Sequence, residues 1–495
     1  MSISQKKVLR RIVLFSLVLI AMFFVSLGRM YFLDQEQPRH WETGDLMNRL
    51  IFLPLSIAAL VVLIVTAVMH RSSRATEMTG SPVLVNAEHF KAQVVGVQWL
   101  NPLIRRDYPT EWQLLWTLGI VKPNKDDDEV KRDPETFTTI QKIAPLTFNF
   151  RKKTVFSDGS SVFPGYLSDY VEEIIKPIGR QYALNRNYFY TIEPENRKKW
   201  RELHGIRVEF AIPDVPMLTS ENAAERIRKA FNAEFVFYNP ELSTANIPAD
   251  VNIIRGGASA GFTSLSAGMD YLEAHPDKTV WVMNMDAPEF PEYGQISENC
   301  TLLILAGPKY QTGREPLAWI ARPAVRNAED FTLAEGESRT ARAWKEAIQS
   351  AAEQAKISPY DIRYVIHDAG KETEEAGRRI GTLAQAMTQS LPELDVLKQS
   401  FNTPQLLGDM RAGTAITNVA LAIAWAHHKG RPVMVAGTTE PDRATAVVVT
   451  PPDRARVFDP EQNWFRARGE GYAYLPWWGL RKDLDWSTYM QGYSD

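Results

Sequence analysis

One cysteine is all that 495 residues provide, Cys300 within "ISENCTLLILAG". A lone thiol can neither close an intramolecular disulfide nor build a thiolate zinc site. Its apolar flanks place it at the start of a buried strand. An excess of charge of either sign is missing too. The 56 Lys and Arg stand against 59 Asp and Glu, a formal net charge of -3, which gives no electrostatic footprint for nucleic acid. The chain also lacks a Walker A loop, a Rossmann glycine fingerprint, H-E-x-x-H and an EF-hand loop, so neither a cofactor nor a metal is expected. The acidic run Asp126-Asp127-Asp128 reads as a solvated loop rather than a cation site.

Long apolar runs, by contrast, are present twice, both near the N-terminus. "RIVLFSLVLIAMFFVSLGRMYFL" and "LIFLPLSIAALVVLIVTAVM" are each about as long as the roughly 20 residues a helix needs to cross a bilayer. The first is too long for a signal-peptide core, and no small-x-small cleavage site follows it. Two transmembrane helices are therefore expected, at 12–33 and 50–69, after a short N-terminus at 1–11. Lys6, Lys7, Arg10 and Arg11 precede the first, Arg71 and Arg74 follow the second, and the loop 34–49 between them is acidic. The positive-inside rule then puts both termini in the cytoplasm.

A polar linker over 70–89 leads into a domain expected at 90–452 and an aromatic-rich tail at 453–495. Within the domain, strand-like runs such as "GIRVEFAIP", "CTLLILAG" and "IRYVIHDAG" alternate with helical patterns such as "AAERIRKAFNAEF" and "AGRRIGTLAQAMTQSL". That alternation predicts an α/β fold whose strands are covered on both faces. Two stretches share one order of parts, a helix rich in small residues, a turn, a strand and a second strand: "GFTSLSAGMDYLEAHPDKTVWVMNMDAP" with "CTLLILAG", and "AGTAITNVALAIAWAHHKGRPVMVAGTT" with "RATAVVVTPP". They read as an internal duplication.

This layout resembles the thiolase-like fold in its β-ketoacyl synthase branch, a duplicated layered α/β architecture with helices buried between sheets. The family's nucleophilic cysteine lies in a pattern like T-A-C-S-S-S-L. Aligned without gaps, "GGASAGFTSL" sets Ala258 at that position. The family's first catalytic histidine falls at His367 or Asp368 in "YVIHDAGKET", and its second at Asp409 in "GDMRAGTA". The resemblance thus implies a vestigial site and no condensing activity, because an alanine has no nucleophilic atom and a carboxylate repels a developing oxyanion. Membrane-anchored proteins of this kind are similar to bacterial adaptors that recognise phospholipase effectors of type VI secretion. That resemblance implies an inner-membrane protein with a cytoplasmic domain, a lipase effector and a secretion spike protein as partners, a chaperone-like loading role, and pairing into a homodimer.

Two other readings stay open. Ser259 in "GGASAG" fits the G-x-S-x-G elbow of a serine hydrolase, but no H-G-G-G segment precedes it and the later histidines, His427 and His428, end a helical pattern. A tight turn of small residues that lets the two halves pack closely is the plainer account. Alternatively, the vacant pocket holds an acyl chain without processing it. For a protein interface the tail offers Trp477, Trp478, Trp486, Tyr489 and Tyr493, aromatics being frequent interface anchors. It reads equally as a wrap over its own domain, with Trp477 and Trp478 inside and the final segment outside. An insert at 150–192 is also rich in Tyr and Phe.

Overall fold

The computed structural model describes residues 89–101, 108–132, 163–184, 206–216, 218–235, 249–286, 297–332, 337–454, 463–464, 475–480 and 482. The chain divides into Met1–Glu88 and His89–Asp495, and the described residues belong to the second unit. The expected spans at 12–33 and 50–69 lie outside the described residues, as do the loop between them, Trp486, Tyr489 and Tyr493. Among the described residues no helix is long and apolar enough to cross a membrane.

In chain order, counting helices of eight residues or more, the elements are β1 Lys91–Leu100, α1 Thr110–Thr117, α2 Phe163–Leu184, β2 Arg207–Ile212, α3 Ser220–Glu234, β3 Asp250–Arg255, α4 Ala260–Ala274, β4 Thr279–Asp286 and β5 Asn299–Ala306. Then come β6 Trp319–Ala321, β7 Ala324–Asn327, α5 Arg339–Gln354, β8 Tyr364–His367, α6 Glu374–Ser390, β9 Ser400–Asn402, α7 Ala415–Lys429, β10 Val433–Gly437, β11 Arg443–Thr450 and β12 Trp477–Trp478.

The strands form one path, β3-β2-β4-β5-β1-β6-β11-β10-β8-β9, and the path repeats itself. In the first half β2 is parallel to β3 and β4, and β5 is antiparallel to β4 and β1. In the second half β8 is parallel to β9 and β10, and β11 is antiparallel to β10, β6 and β7. The halves meet where β1 pairs antiparallel with β6. The duplication and the α/β layering expected from the sequence are thus carried by strand pairing, not merely by element order.

Alternation along the strands distributes the core into three clusters. Val280 and Val282 of β4, Leu303 and Leu305 of β5, Val433 and Val435 of β10 and Val447 and Val449 of β11 face inward and share one cluster with α1, α4 and α7. Trp281, Met283, Leu302 and Ile304 face outward onto α2 and α3. Met434, Ala436, Ala446 and Val448 face outward onto α5 and α6. A bulge between Val94 and Gly96 of β1 switches parity, which is why Val94 and Val97 both point inward while Val95 points out. Thirteen of the fifteen residues of α7 are buried, as expected of a helix that is apolar on all sides. α5 buries one face only, through Ala341, Trp344, Ala347, Ile348 and Ala351.

Two glycines mark close approaches between elements. A Cβ on Gly261 would lie 2.8 Å from the Ala415 Cβ and 3.2 Å from Ile416 Cγ1, so α4 and α7 touch almost backbone to backbone. Gly96 faces the Trp478 ring, which a Cβ would meet at 2.5 Å. The turn "GGASAG" itself is looser than its composition suggests. Gly257 is exposed, with nothing within 4 Å of an added Cβ, so the packing requirement lies at Gly261 rather than at the turn.

The tail is not an appendage. Trp477 and Trp478 pair with Val97 and Gly96 of β1 and are each 1% exposed. Their expected role as interface anchors is therefore replaced by a place in the core. Part of the 150–192 insert is likewise core, because Leu167, Tyr170, Val171 and Ile174 of α2 are buried against the first half-sheet.

Replacing Gly261 with Leu should lower stability by about 1–3 kcal/mol, the usual cost of overpacking, while Gly257→Ala should stay within about 0.5 kcal/mol of the parent. Denaturant unfolding of the two variants side by side checks the contrast, and equal stability would refute the close-approach account.

Candidate functional site

Loops that follow the carboxyl ends of β2, β3, β4, β8 and β10 open into a common cavity of about 800 Å³. Such ends are where α/β sheets hold ligands, because the chain leaves the ladder there and its polar groups are freed for other partners. Pro213 and Asp214 come from the loop after β2, Gly256, Gly257 and Ala258 from that after β3, Asp286 from the end of β4, Asp368 to Lys371 from after β8, and Thr439 from after β10. Arg379 of α6 and the approach to α7, with Pro404, Asp409 and Arg411, complete the wall.

The structure thus brings Ala258, Asp368 and Asp409 to one place from positions spread over 151 residues of chain. Ala258, 8% exposed, presents only a methyl group. Of the two positions left open on β8, Asp368 lines the cavity and His367 does not. His367 is buried at the strand end, where its Nδ1 accepts from the Ala369 N–H at 3.4 Å, and burial pushes its pKa down to about 4. The Asp368 carboxylate accepts from the Thr438 N–H at 2.6 Å and the Thr438 hydroxyl at 2.8 Å through Oδ1. Burial raises its pKa, and those two bonds and the Arg379 charge oppose the rise. Its Oδ2 is buried without a hydrogen-bond partner among the described residues.

Three participants escaped the sequence reading. Asp286 is buried, accepts from the Ala412 N–H at 3.2 Å and faces the Arg411 guanidinium at 3.6 Å. Arg411 itself adopts φ 42°, a left-handed conformation with a cost of about 1 kcal/mol or more for a side-chain-bearing residue. Its N–H donates to Asp409 Oδ1 at 3.0 Å, so Asp409 fastens the loop as well as lining the wall. Thr438 holds Asp368. The strand-end position of Asp286 in "VMNMDAP" was the only available signal, since its partners lie some 125 residues further on.

Ser259 is the N-cap of α4 but makes no side-chain cap bond. Its hydroxyl donates to the Glu440 carboxylate, which also pairs with Arg443 at 3.2 Å. An ion-paired carboxylate replaces the imidazole a serine elbow requires. Cys300 is fully buried on β5, where burial pushes its thiol up, leaving it an inert core residue. The acidic run, expected to be a solvated loop, is solvated only in part: Asp126 is exposed and pairs with Lys131 at 3.6 Å, whereas Asp127 is buried and accepts from the Tyr108 hydroxyl at 3.1 Å.

Residues 317–451 match the family model described as type VI lipase adapter protein Tla3, C-terminal. That span runs from just before β6 to the end of β11, which is the second half of the duplication. No curated protein sequence matches the chain. Among solved structures, an oxazolomycin ketosynthase domain from Streptomyces albus JA3453 is similar at 12% identity and TM-score 0.44, covering 78% of this chain and 99% of that one. The ketosynthase from module 6 of the bacillaene synthase of Bacillus subtilis 168 is similar at 13% identity and TM-score 0.45, covering 72% and 71%. The ishigamide ketosynthase/chain length factor is similar at 13% identity and TM-score 0.43, covering 72% and 99%.

Two outcomes follow from the site. Ser259 should not label with a fluorophosphonate, and stoichiometric labelling that disappears in Ser259→Ala would restore the hydrolase reading. His367 should make the fold acid-sensitive. The folded state keeps it neutral down to about pH 4, whereas the unfolded chain protonates it near its ordinary value of 6.5. The unfolded state therefore binds more protons between those two pH values, and stability falls as pH drops through that window, by at most about 3 kcal/mol. Asp368, with its raised pKa, acts in the opposite sense, so wild type must be compared with His367→Gln. Denaturant unfolding from pH 7 to pH 4 should show the slope flattened in the variant.

Proposed function

We propose that the chain is a non-catalytic, membrane-anchored adaptor that binds a type VI secretion lipase effector and helps load it onto a secretion spike protein. The observation that carries this reading is the match of residues 317–451 to the adapter model, because that span supplies Asp368, Arg379, Asp409 and Arg411 to the cavity wall. A methyl group at Ala258 and an exposed carboxylate at Asp409 support the absence of condensing chemistry. The Ser259–Glu440 bond argues against the hydrolase alternative.

The cavity lining speaks against an acyl-chain ligand as well. Among the described residues its walls are Asp, Arg, Lys, Thr, Gly, Ala and Pro, without one Leu, Ile, Val, Met or aromatic side chain. Among those residues no large apolar side chain lines the path that a fatty acyl chain would take. A charged or polar segment of a protein suits the mixture of carboxylates and guanidinium groups better. Anchoring by the runs at 12–33 and 50–69, with the domain on the cytoplasmic side of a bacterial inner membrane, follows from the flanking Lys and Arg. The homodimer belongs to the same reading: β3, at the end of the sheet path, leaves an edge on which a second copy could pair.

Affinity purification of the full chain from native membranes tests the proposal. A lipase with a spike component should be recovered, and right-side-out vesicles from the same membranes should protect the domain from added protease. Recovery of an acyl carrier alone would favour the acyl-binding alternative, and protease access from outside would reverse the topology. Truncation after Trp486 removes Tyr489 and Tyr493 and should weaken lipase capture by more than roughly tenfold, as loss of aromatic anchors does, with the unfolding temperature unchanged. Undiminished capture would move the interface away from the tail.

A further inference from the structure

The last turn of α7 holds His427 and His428, and α1 packs across it with Glu111. Adjacent helical residues point about 100° apart, so a single group can meet both only if it sits against the flank between them. Glu111 occupies that place. One ligand-type atom from each of Glu111, His427 and His428 lies within 4.8 Å of the other two. The three residues are 0%, 8% and 8% exposed, walled by Trp464 and Trp477, whose rings lie 5.1 to 6.5 Å from the imidazoles.

We propose that Glu111, His427 and His428 form a binding site for a zinc-class divalent cation that ties α1 to the end of α7. Three features point there beyond proximity. His427 Nδ1 lies 2.7 Å from the Leu317 carbonyl, which can only accept, so Nδ1 carries the proton and Nε2 keeps a lone pair. A backbone carbonyl fixing the tautomer in this way is how metal-bound histidines are oriented. The donor set, two imidazoles and one carboxylate, is that of zinc and its late first-row neighbours, whereas calcium and magnesium ask for oxygen alone. Finally, the site lies at the negative end of the α7 dipole, which favours added positive charge.

The plain alternative is a buried Glu–His pair. His428 Nε2 and Glu111 Oε1 are 2.7 Å apart, which suits a hydrogen bond. Two donors on one tetrahedral ion stand roughly 3.3 Å apart, given bonds of about 2.0–2.1 Å, so the pair opens by a little over half an ångström on coordination. His428 Nε2 releases its proton to solvent as the cation takes its place.

The test uses the full-length chain in detergent, stripped with a chelator, reloaded with zinc or cobalt(II) and desalted. Metal is then counted by mass spectrometry. About one equivalent per chain should remain, the unfolding temperature should rise on loading, and cobalt should give the visible bands of a low-coordinate nitrogen and oxygen site. Glu111→Gln and His427→Asn should each reduce retention by at least roughly tenfold, while His275→Asn, at an exposed histidine, leaves it intact. Failure of reloaded wild type to retain stoichiometric metal would overturn the proposal, as would full retention in the Glu111→Gln/His427→Asn double variant. Should a variant misfold, the wild-type cobalt spectrum decides, because cobalt held loosely at the surface gives only the pale spectrum of a hydrated octahedral ion.

Discussion

The approach of α4 to α7 sets the terms for the rest of the domain. Two half-sheets can bury their inner faces against the same pair of helices only if those helices lie nearly in contact, and Gly261 against Ala415 supplies the room. Separation of the helices by one further methylene would lift the strands carrying Val280 and Val282 away from those carrying Val433 and Val435. The cavity inherits its geometry from the same contact. Ala258 stands just before the N-terminus of α4, Asp409 and Arg411 just before that of α7, and the two helix starts are held side by side. The small residues that dominate both helices are therefore a condition for the cavity as well as for the core.

Because the pairing pattern of the second half repeats that of the first, each loop on one side of the cavity has a counterpart on the other. Asp286 ends β4 and Thr438 follows β10, its equivalent in the repeat. Each holds a partner that the opposite or neighbouring loop supplies: Asp286 takes Ala412 and Arg411, and Thr438 takes Asp368. The wall is thus laced by polar contacts, across the halves at Asp286 and within the second half at Asp368. A surface built in this way suits recognition of charged groups more than solvation of a hydrocarbon.

The α/β layering was legible because it rests on local period and on residue size. Strand runs such as "CTLLILAG" are apolar throughout, and α7 announces itself by its lack of a polar face. Ala258, Asp368 and Asp409 could be picked out because each is tied to an element end whose order along the chain is shared by both halves. What stayed hidden depends on sequence-distant partners. "AHHKG" reads correctly as a helix end with cations near the negative pole, yet nothing near it signals Glu111, 317 residues away. Likewise the composition of "LPWWGL" is equally compatible with a core plug and an exposed anchor. Only the pairing with β1 decides.

That pairing carries a consequence for the nascent chain. β1 is a central strand, yet among the described residues one side of its second half is closed by Trp477 and Trp478 alone, about 380 residues later. Throughout translation of the intervening segment, the backbone groups of Gly96 and Val97 and the slot for the Trp478 ring stand open, a ready template for another strand. The domain is thus assembled around a vacancy that its own end must seal. A chain that stops before Trp477 lacks the two residues that pair with Gly96 and Val97 and fill the space beside Gly96.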